Sequence, residues 1–317
     1  MLDIKDLEVE YTHGGIATPA VRRATLHLSK GAALALIGES GSGKSTLALA
    51  VMRLIRPPAG RIVEGEIFLD NVSVTAARHK QMRSILRHRI GFIPQDPTTS
   101  LDPLFTIGSQ VAEVLPRMPR GKRNGEIGTL LETLGVRAAT ARLRSYPHEF
   151  SGGMRQRVAM AIALAKEPDL LIADEPTTAL DVTTQISLLR LLDKLRVDRQ
   201  LTTLFITHDL RVARLLCQDV AVMYAGLIVE SGPMRQVLKA PSHPYTKALL
   251  DLSESEKIPS SRLTVIPGHA PSPLDRPRGC PFAPRCSRAE EICRTTLPEV
   301  QTRDDGVRYQ CWNPVTA

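Results

Sequence analysis

One eight-residue run constrains this chain more than any other feature. Gly38-Glu39-Ser40-Gly41-Ser42-Gly43-Lys44-Ser45 has the spacing G-x-x-x-x-G-K-[S/T]. It stands between a short apolar run, Ala32–Ile37, and a segment of helix composition from Ser45 to Met52, which stops before Pro57-Pro58-Ala59-Gly60. The apolar run reads as a strand buried on both faces. Strand, glycine loop and helix open an α/β domain. The chemistry needs each part. Gly38, Gly41 and Gly43 let the backbone wrap an anion with its N–H groups turned inward. The helix starting near Lys44 adds the positive end of its dipole. Lys44 is placed to reach the β- and γ-phosphates of a nucleotide and the Ser45 hydroxyl to ligate Mg²⁺, with Ser40 and Thr46 in the same binding set.

A second run supports a nucleotide site. Leu170-Leu171-Ile172-Ala173-Asp174-Glu175 is an apolar strand ending in two carboxylates. Asp174 suits Mg²⁺, and Glu175, one residue on and facing the other way, suits a base that takes a proton from attacking water.

Composition bounds the rest. At 317 residues the chain is long enough for about two domains. Hydrophobic residues at 43% and charged residues at 23% are those of a globular protein. Aromatics at 4% argue against a base-stacking nucleic-acid platform. No stretch reaches the ~18 apolar residues of a membrane span. The start, Met1-Leu2-Asp3-Ile4-Lys5-Asp6, lacks the pattern of a secretory signal, so a cytosolic chain is expected. The formal charge of +8 gathers at Arg78–Arg89 and Arg117–Arg123. Nucleic acid, anionic phosphates, an anionic lipid surface or simply solvated helix faces would each account for it.

Strands are expected at Leu2–Val9, Ala24–Leu28, Asp169–Ala173, Thr203–Thr207 and Asp219–Tyr224, with a mostly helical stretch over about 91–166. The fold class is therefore α/β, one core with a helical insertion, spanning residues 1–256. Residues 257–317 form a proline-rich extension that carries four of the five cysteines.

Ser151-Gly152-Gly153-Met154-Arg155-Gln156-Arg157 narrows the field. It resembles the signature motif of ATP-binding cassette (ABC) proteins and precedes the carboxylate strand in the expected order. A serine, two glycines and a helix start can grip a γ-phosphate. The resemblance implies that this grip acts on the ATP of a partner, so that two cassettes sandwich two nucleotides. It also implies a RecA-like core with an antiparallel β subdomain and a helical subdomain. Gln95 then looks like the Q-loop glutamine, touching Mg²⁺ and water. Asp181, in Ala179-Leu180-Asp181, resembles the D-loop, His208 the switch histidine on the γ-phosphate, and Tyr11 the aromatic stacked on adenine. Phe150 and Met154 stand where Leu and Gln are commoner, and neither change removes the serine or the glycines.

Gln95-Asp96-Pro97-Thr98-Thr99-Ser100-Leu101-Asp102-Pro103 and His243-Pro244-Tyr245-Thr246-Lys247-Ala248-Leu249-Leu250 resemble the oligopeptide and dipeptide importer branch, as does Gly279-Cys280-Pro281-Phe282-Ala283-Pro284-Arg285-Cys286. This implies two permease subunits, a second and different ABC ATPase chain, and an extracytoplasmic solute-binding protein. The seat would be the cytoplasmic face of the cell membrane, with coupling near Gln95–Leu104 and no nucleic-acid partner. Nickel and other small solutes belong to the same branch. A soluble ABC ATPase that remodels nucleic acid or ribosomes is the rival class; the single glycine loop and the tail speak against it.

Cys217 lies in an apolar helical stretch and reads as a packed thiol. Cys280, Cys286, Cys293 and Cys311 cluster in the tail, where a cytosolic setting favours metal over disulfide. Iron–sulfur, zinc and no metal all remain open from the residues. The resemblance favours a structural [4Fe–4S] cluster.

Overall fold

The computed structural model describes residues 1–98, 100–115, 119–177, 182–255, 266–272, 274 and 277–315. It forms two compact units, Met1–Ala76 with Phe205–Ala317, and Ala77–Leu204.

In the first unit β1 (Leu2–His13) and β2 (Ile16–Leu28) make a hairpin, and β1 also pairs with a later strand, β4 (Gly60–Leu69), which carries β5 (Val72–Ser73). All these pairings are antiparallel. Leu2, Ile4, Leu7 and Val9 of β1 are buried, as their alternation predicts. The strands run further than the pattern suggests because the hairpin continues through residues without alternating polarity, with Tyr11 opposite Thr18 and His13 opposite Ile16. β4 lacks a clear pattern too; Arg61, Glu64 and Glu66 leave only its second half visibly apolar. Between these strands lie β3 (Ala33–Ile37), buried at every position, and α1 (Lys44–Val51).

The second unit begins with α2 (His79–His88) and β6 (Ile90–Ile93). α2 buries Met82 and Ile85 and exposes Lys80, Arg83 and Arg87, so the basic run there is the polar face of an amphipathic helix. Helices follow: α3 (Ile107–Val114), α4 (Arg120–Thr133), α5 (Ala139–Arg142) and α6 (Gly152–Leu164). Then come β7 (Leu170–Asp174), parallel to β6 with Ile93 opposite Ala173, and α7 (Val182–Arg199). β8 (Thr202–Thr207), buried throughout, leads the chain back to the first unit.

There α8 (Leu210–Leu216) precedes β9 (Asp219–Tyr224), which is parallel to β3, and β10 (Leu227–Pro233), antiparallel to β9. α9 (Met234–Lys239) and α10 (Pro244–Ser255) follow. The tail is loop-built, with α11 (Glu291–Thr295), β11 (Gln301–Thr302) and β12 (Arg308–Tyr309). It adds to the sheet: β12 pairs with β10, Tyr309 opposite Glu230. Glu230 is fully buried, and its carboxylate accepts from the Ser242 and His243 backbone N–H groups at 2.6 and 2.9 Å. Burial raises its pKa while those hydrogen bonds oppose the rise.

Candidate nucleotide site

In the first unit the glycine loop follows β3 directly and ends at α1. Gly38 has φ +157°, and a Cβ there would lie 2.1 Å from the Met223 carbonyl oxygen; at Gly43, φ +107°, a Cβ would lie 2.5 Å from the Ala20 oxygen. Only glycine fits either position. Gly43 caps α1, so no side chain competes for the N–H groups of the first turn. Lys44 is buried, and its ammonium donates to the Gly38 and Glu39 carbonyl oxygens at 2.8 and 2.9 Å. That holds the lysine across the loop. Ser40, Gly41 and Ser45 are exposed, and Thr46 is half-buried.

Two more of the expected residues belong to this unit. Tyr11 is half-buried near the hairpin tip, opposite Thr18 on one side and Gly60 on the other. His208 is exposed just beyond β8. It is followed by Asp209, whose carboxylate caps α8, accepting from the Arg211 N–H at 2.8 Å and pairing with its guanidinium at 3.0 Å. Burial works to raise the Asp209 pKa, and the hydrogen bonds and charge of Arg211 outweigh it, leaving the pKa lowered.

In the second unit the parallel strands β6 and β7 end side by side, and ligands of open α/β sheets sit beyond such carboxyl ends. Asp174 closes β7 and is buried. Glu175 adopts φ +44°, a left-handed conformation that is rare for a non-glycine residue and costs of order 1–3 kcal/mol. The Gln95 amide donates to its carboxylate at 3.0 Å. This uses the amide nitrogen of Gln95 and leaves its oxygen, a hard donor of the kind Mg²⁺ prefers, as do the Asp174 carboxylate and the Ser45 hydroxyl. Ser151 caps α6 by accepting from the Met154 N–H. Gly152 opens onto empty space, with nothing within 4 Å of a Cβ there, while Gly153 lies half-buried in the first turn of α6. Phe150 is buried beneath the Arg142 guanidinium, 5.8 Å from its ring centre. Asp181 lies outside the described residues.

Comparison with known proteins fits this geometry. Residues 21–178 match the family described as ABC transporter, and residues 229–293 match the oligopeptide/dipeptide transporter C-terminal region. A dipeptide transport ATP-binding protein of Bacillus subtilis, DppD, is 39% identical over 98% of this chain and 94% of its own. The chain belongs to the ABC transporter family.

Other ABC relatives agree. OppD, an oligopeptide transport ATP-binding protein of Bacillus subtilis, is 43% identical over 92% of this chain and 83% of its own. Among solved structures, an ATP-binding cassette dimer with bound ADP and Pi, MJ0796, superposes with TM-score 0.68 at 29% identity, covering 74% of this chain and 99% of that one. The shared fold is thus the ABC cassette.

The tail of this ABC protein departs from one expectation. Cys280, Cys286, Cys293 and Cys311 do line one cavity, with His243, Phe282 and Trp312. Yet among the described residues no three histidine, cysteine or acidic side chains form a group that could hold a metal ion. Burial pushes the Cys280 thiol up to about 11 and the Cys311 thiol up to about 12. The expected metal thus finds no support in the geometry. Cys217 is buried at the end of α8, the packed thiol its surroundings predict.

Sequence reading missed Glu39, Tyr224, Tyr245 and Arg285. The Glu39 N–H donates to the Tyr245 hydroxyl at 2.9 Å, and the Arg285 guanidinium grips the Glu39 carboxylate at 2.8 and 3.1 Å. Arg285 and Tyr245 lie within runs singled out for family resemblance, but nothing in those runs names a partner in the glycine loop.

Proposed function

We propose that this chain is an ATP-hydrolysing subunit that drives import of di- and oligopeptides through a membrane ABC permease. The observation that carries the reading is the Gln95–Glu175 hydrogen bond beyond paired parallel strands, in a chain whose whole length resembles peptide-transport ATP-binding proteins. Lys44, the loop N–H groups and the α1 dipole hold the nucleotide phosphates. Ser45, Gln95 and Asp174 supply oxygen ligands for Mg²⁺, which when bound offsets phosphate charge. Glu175 takes a proton from the attacking water, and Gln95 orients it. His208 contacts the γ-phosphate, Tyr11 stacks on adenine, and Ser40, Gly41 and Thr46 complete the pocket. Ser151, Gly152, Gly153 and Asp181 serve the nucleotide of a second cassette, so the working unit is a dimer, with a different ATPase chain as partner.

Among the described residues no helix is long and apolar enough to cross a membrane. Two permease chains are therefore the proposed partners, fed by an extracytoplasmic solute-binding protein, with this chain on the cytoplasmic face. Leu104 and Phe105 are 80% and 57% exposed on a loop that Gln110 fixes through Asp102 and Phe105. They are the proposed contact with the permease. For the tail cysteines we propose the [4Fe–4S] cluster that the family resemblance implies, over zinc, formed only once the four thiols draw closer together than they stand here. Iron, sulfide and zinc analysis of anaerobically purified protein tests it, and absence of all three ends it.

The decisive experiment is affinity purification of the tagged chain from detergent-solubilised membranes, with partners identified by mass spectrometry. Two permeases, a second cassette and a peptide-binding protein are expected. Ribosomal or DNA-associated proteins without a permease would overturn the transport reading.

A further inference from the structure

Glu39 is held at every polar atom. Its carbonyl accepts from Lys44 at 2.9 Å and from the Ser42 N–H at 3.2 Å, its N–H donates to Tyr245, and its carboxylate takes both arms of Arg285. Arg285 lies 246 residues away in the tail, and its side chain is only 6% exposed. It also donates to the Tyr224 hydroxyl at 3.2 Å and to the Ile266 and Pro267 carbonyls at 3.1 and 2.9 Å. The guanidinium stacks near the Tyr224 and Phe282 rings, which pack with Tyr245. The tail therefore places a fixed positive charge on an acidic residue inside the phosphate-binding loop.

That acid is costly where it stands. A carboxylate next to an anion cradle repels a polyphosphate, and in a half-buried setting the repulsion is poorly screened. The bidentate fork of Arg285 cancels the charge, while the Tyr245 hydroxyl and the Lys44 ammonium hold the loop backbone.

We propose that Arg285 of the C-terminal extension is a positioning residue for nucleotide binding, neutralising Glu39 so that the loop accepts phosphate. The proposal rests on reading Gly38–Ser45 as the nucleotide loop. It predicts opposite signs for the two partners. Arg285→Gln exposes the acid and weakens MgATP binding, whereas Glu39→Gln leaves a cation beside the phosphates and tightens it. A brace that only held shape would weaken binding in both.

The test is titration of the full chain with MgATP by calorimetry, alongside thermal melts. Arg285→Gln is expected to weaken binding about tenfold, the effect of ~1.4 kcal/mol. The deficit should shrink at high salt. Glu39→Gln should bind several-fold tighter, and the Arg285→Gln/Glu39→Gln pair should return near wild type. Arg303→Ala, which loosens the tail at Ala240 and Ser242 away from the loop, should lower the melting temperature and leave affinity unchanged. Wild-type affinity in Arg285→Gln, or weakening in Glu39→Gln, overturns the proposal; the second result decides even if Arg285→Gln does not fold. Lys44→Ala separates the two readings: undiminished MgATP binding there would mean that the loop itself is not the nucleotide site.

Discussion

The amide of Gln95 and the carboxylate of Glu175 meet at 3.0 Å from the ends of two adjacent parallel strands, while Glu175 holds a left-handed backbone at φ +44°. The left-handed backbone follows directly on β7, and the Gln95 amide holds the carboxylate in place beyond it. A base that must meet one water in one orientation benefits from both.

Glu175→Gln keeps the shape and the Gln95 contact but removes the proton acceptor. ATP turnover is expected to fall about 10²-fold or more, with MgATP affinity retained. Phosphate release and equilibrium binding, measured on the same preparation, separate the two effects. Turnover at the wild-type rate would remove Glu175 as the base.

Two glycines of the site make opposite demands. At Gly38 an added methyl meets the Met223 backbone oxygen at 2.1 Å, so Gly38→Ala should cost about 3 kcal/mol and abolish nucleotide binding. At Gly152 a methyl meets nothing, and alanine favours the first turn of α6. Gly152→Ala should therefore melt at or slightly above the wild-type temperature. If the glycine exists to let a partner's phosphate approach, hydrolysis in the assembled transporter falls all the same. Full activity there would show that Gly152 needs no bare backbone.

What the sequence made legible follows from range. Gly38–Ser45, Leu170–Glu175 and Ser151–Arg157 are local: each places its chemistry through one strand end or one helix start, so spacing reveals the first two and family resemblance the third. β4 was not legible, because its polar positions Arg61, Glu64 and Glu66 break the alternation and pairing with β1 holds it instead. The Arg285 grip on Glu39 was hidden for the same kind of reason. An ion pair across 246 residues depends on how the tail packs under Tyr224 and Tyr245, and no spacing rule encodes that. The cysteines show the converse: their clustering in sequence suggested a metal, and the fold brings them to one cavity without forming, among the described residues, a group that could hold one.

Leu104 and Phe105 are large apolar side chains on a loop fixed from within, so replacing them leaves the fold's own contacts intact. Leu104→Arg is expected to change stability by less than about 0.5 kcal/mol. Co-purification of the permease should drop several-fold, and solute uptake with it, while MgATP binding holds. Undiminished permease recovery would place the coupling surface elsewhere.

Asp209 offers a pH test next to His208. Its folded pKa is depressed below the unfolded value of about 3.9 by its bonds to Arg211, burial notwithstanding. The folded state thus binds fewer protons than the unfolded one in that window, and stability falls as pH drops. The contribution is complete above about pH 5 and disappears as pH falls from 3.9 through the depressed value. Asp209→Asn keeps a capping oxygen but loses the charge, so it should be less stable than wild type by about 1 kcal/mol at pH 6. Urea melts should show the two chains converging below pH 3.9. A gap that stays constant from pH 6 to pH 3 would mean that the Arg211 pairing contributes nothing and that the cap acts through shape alone.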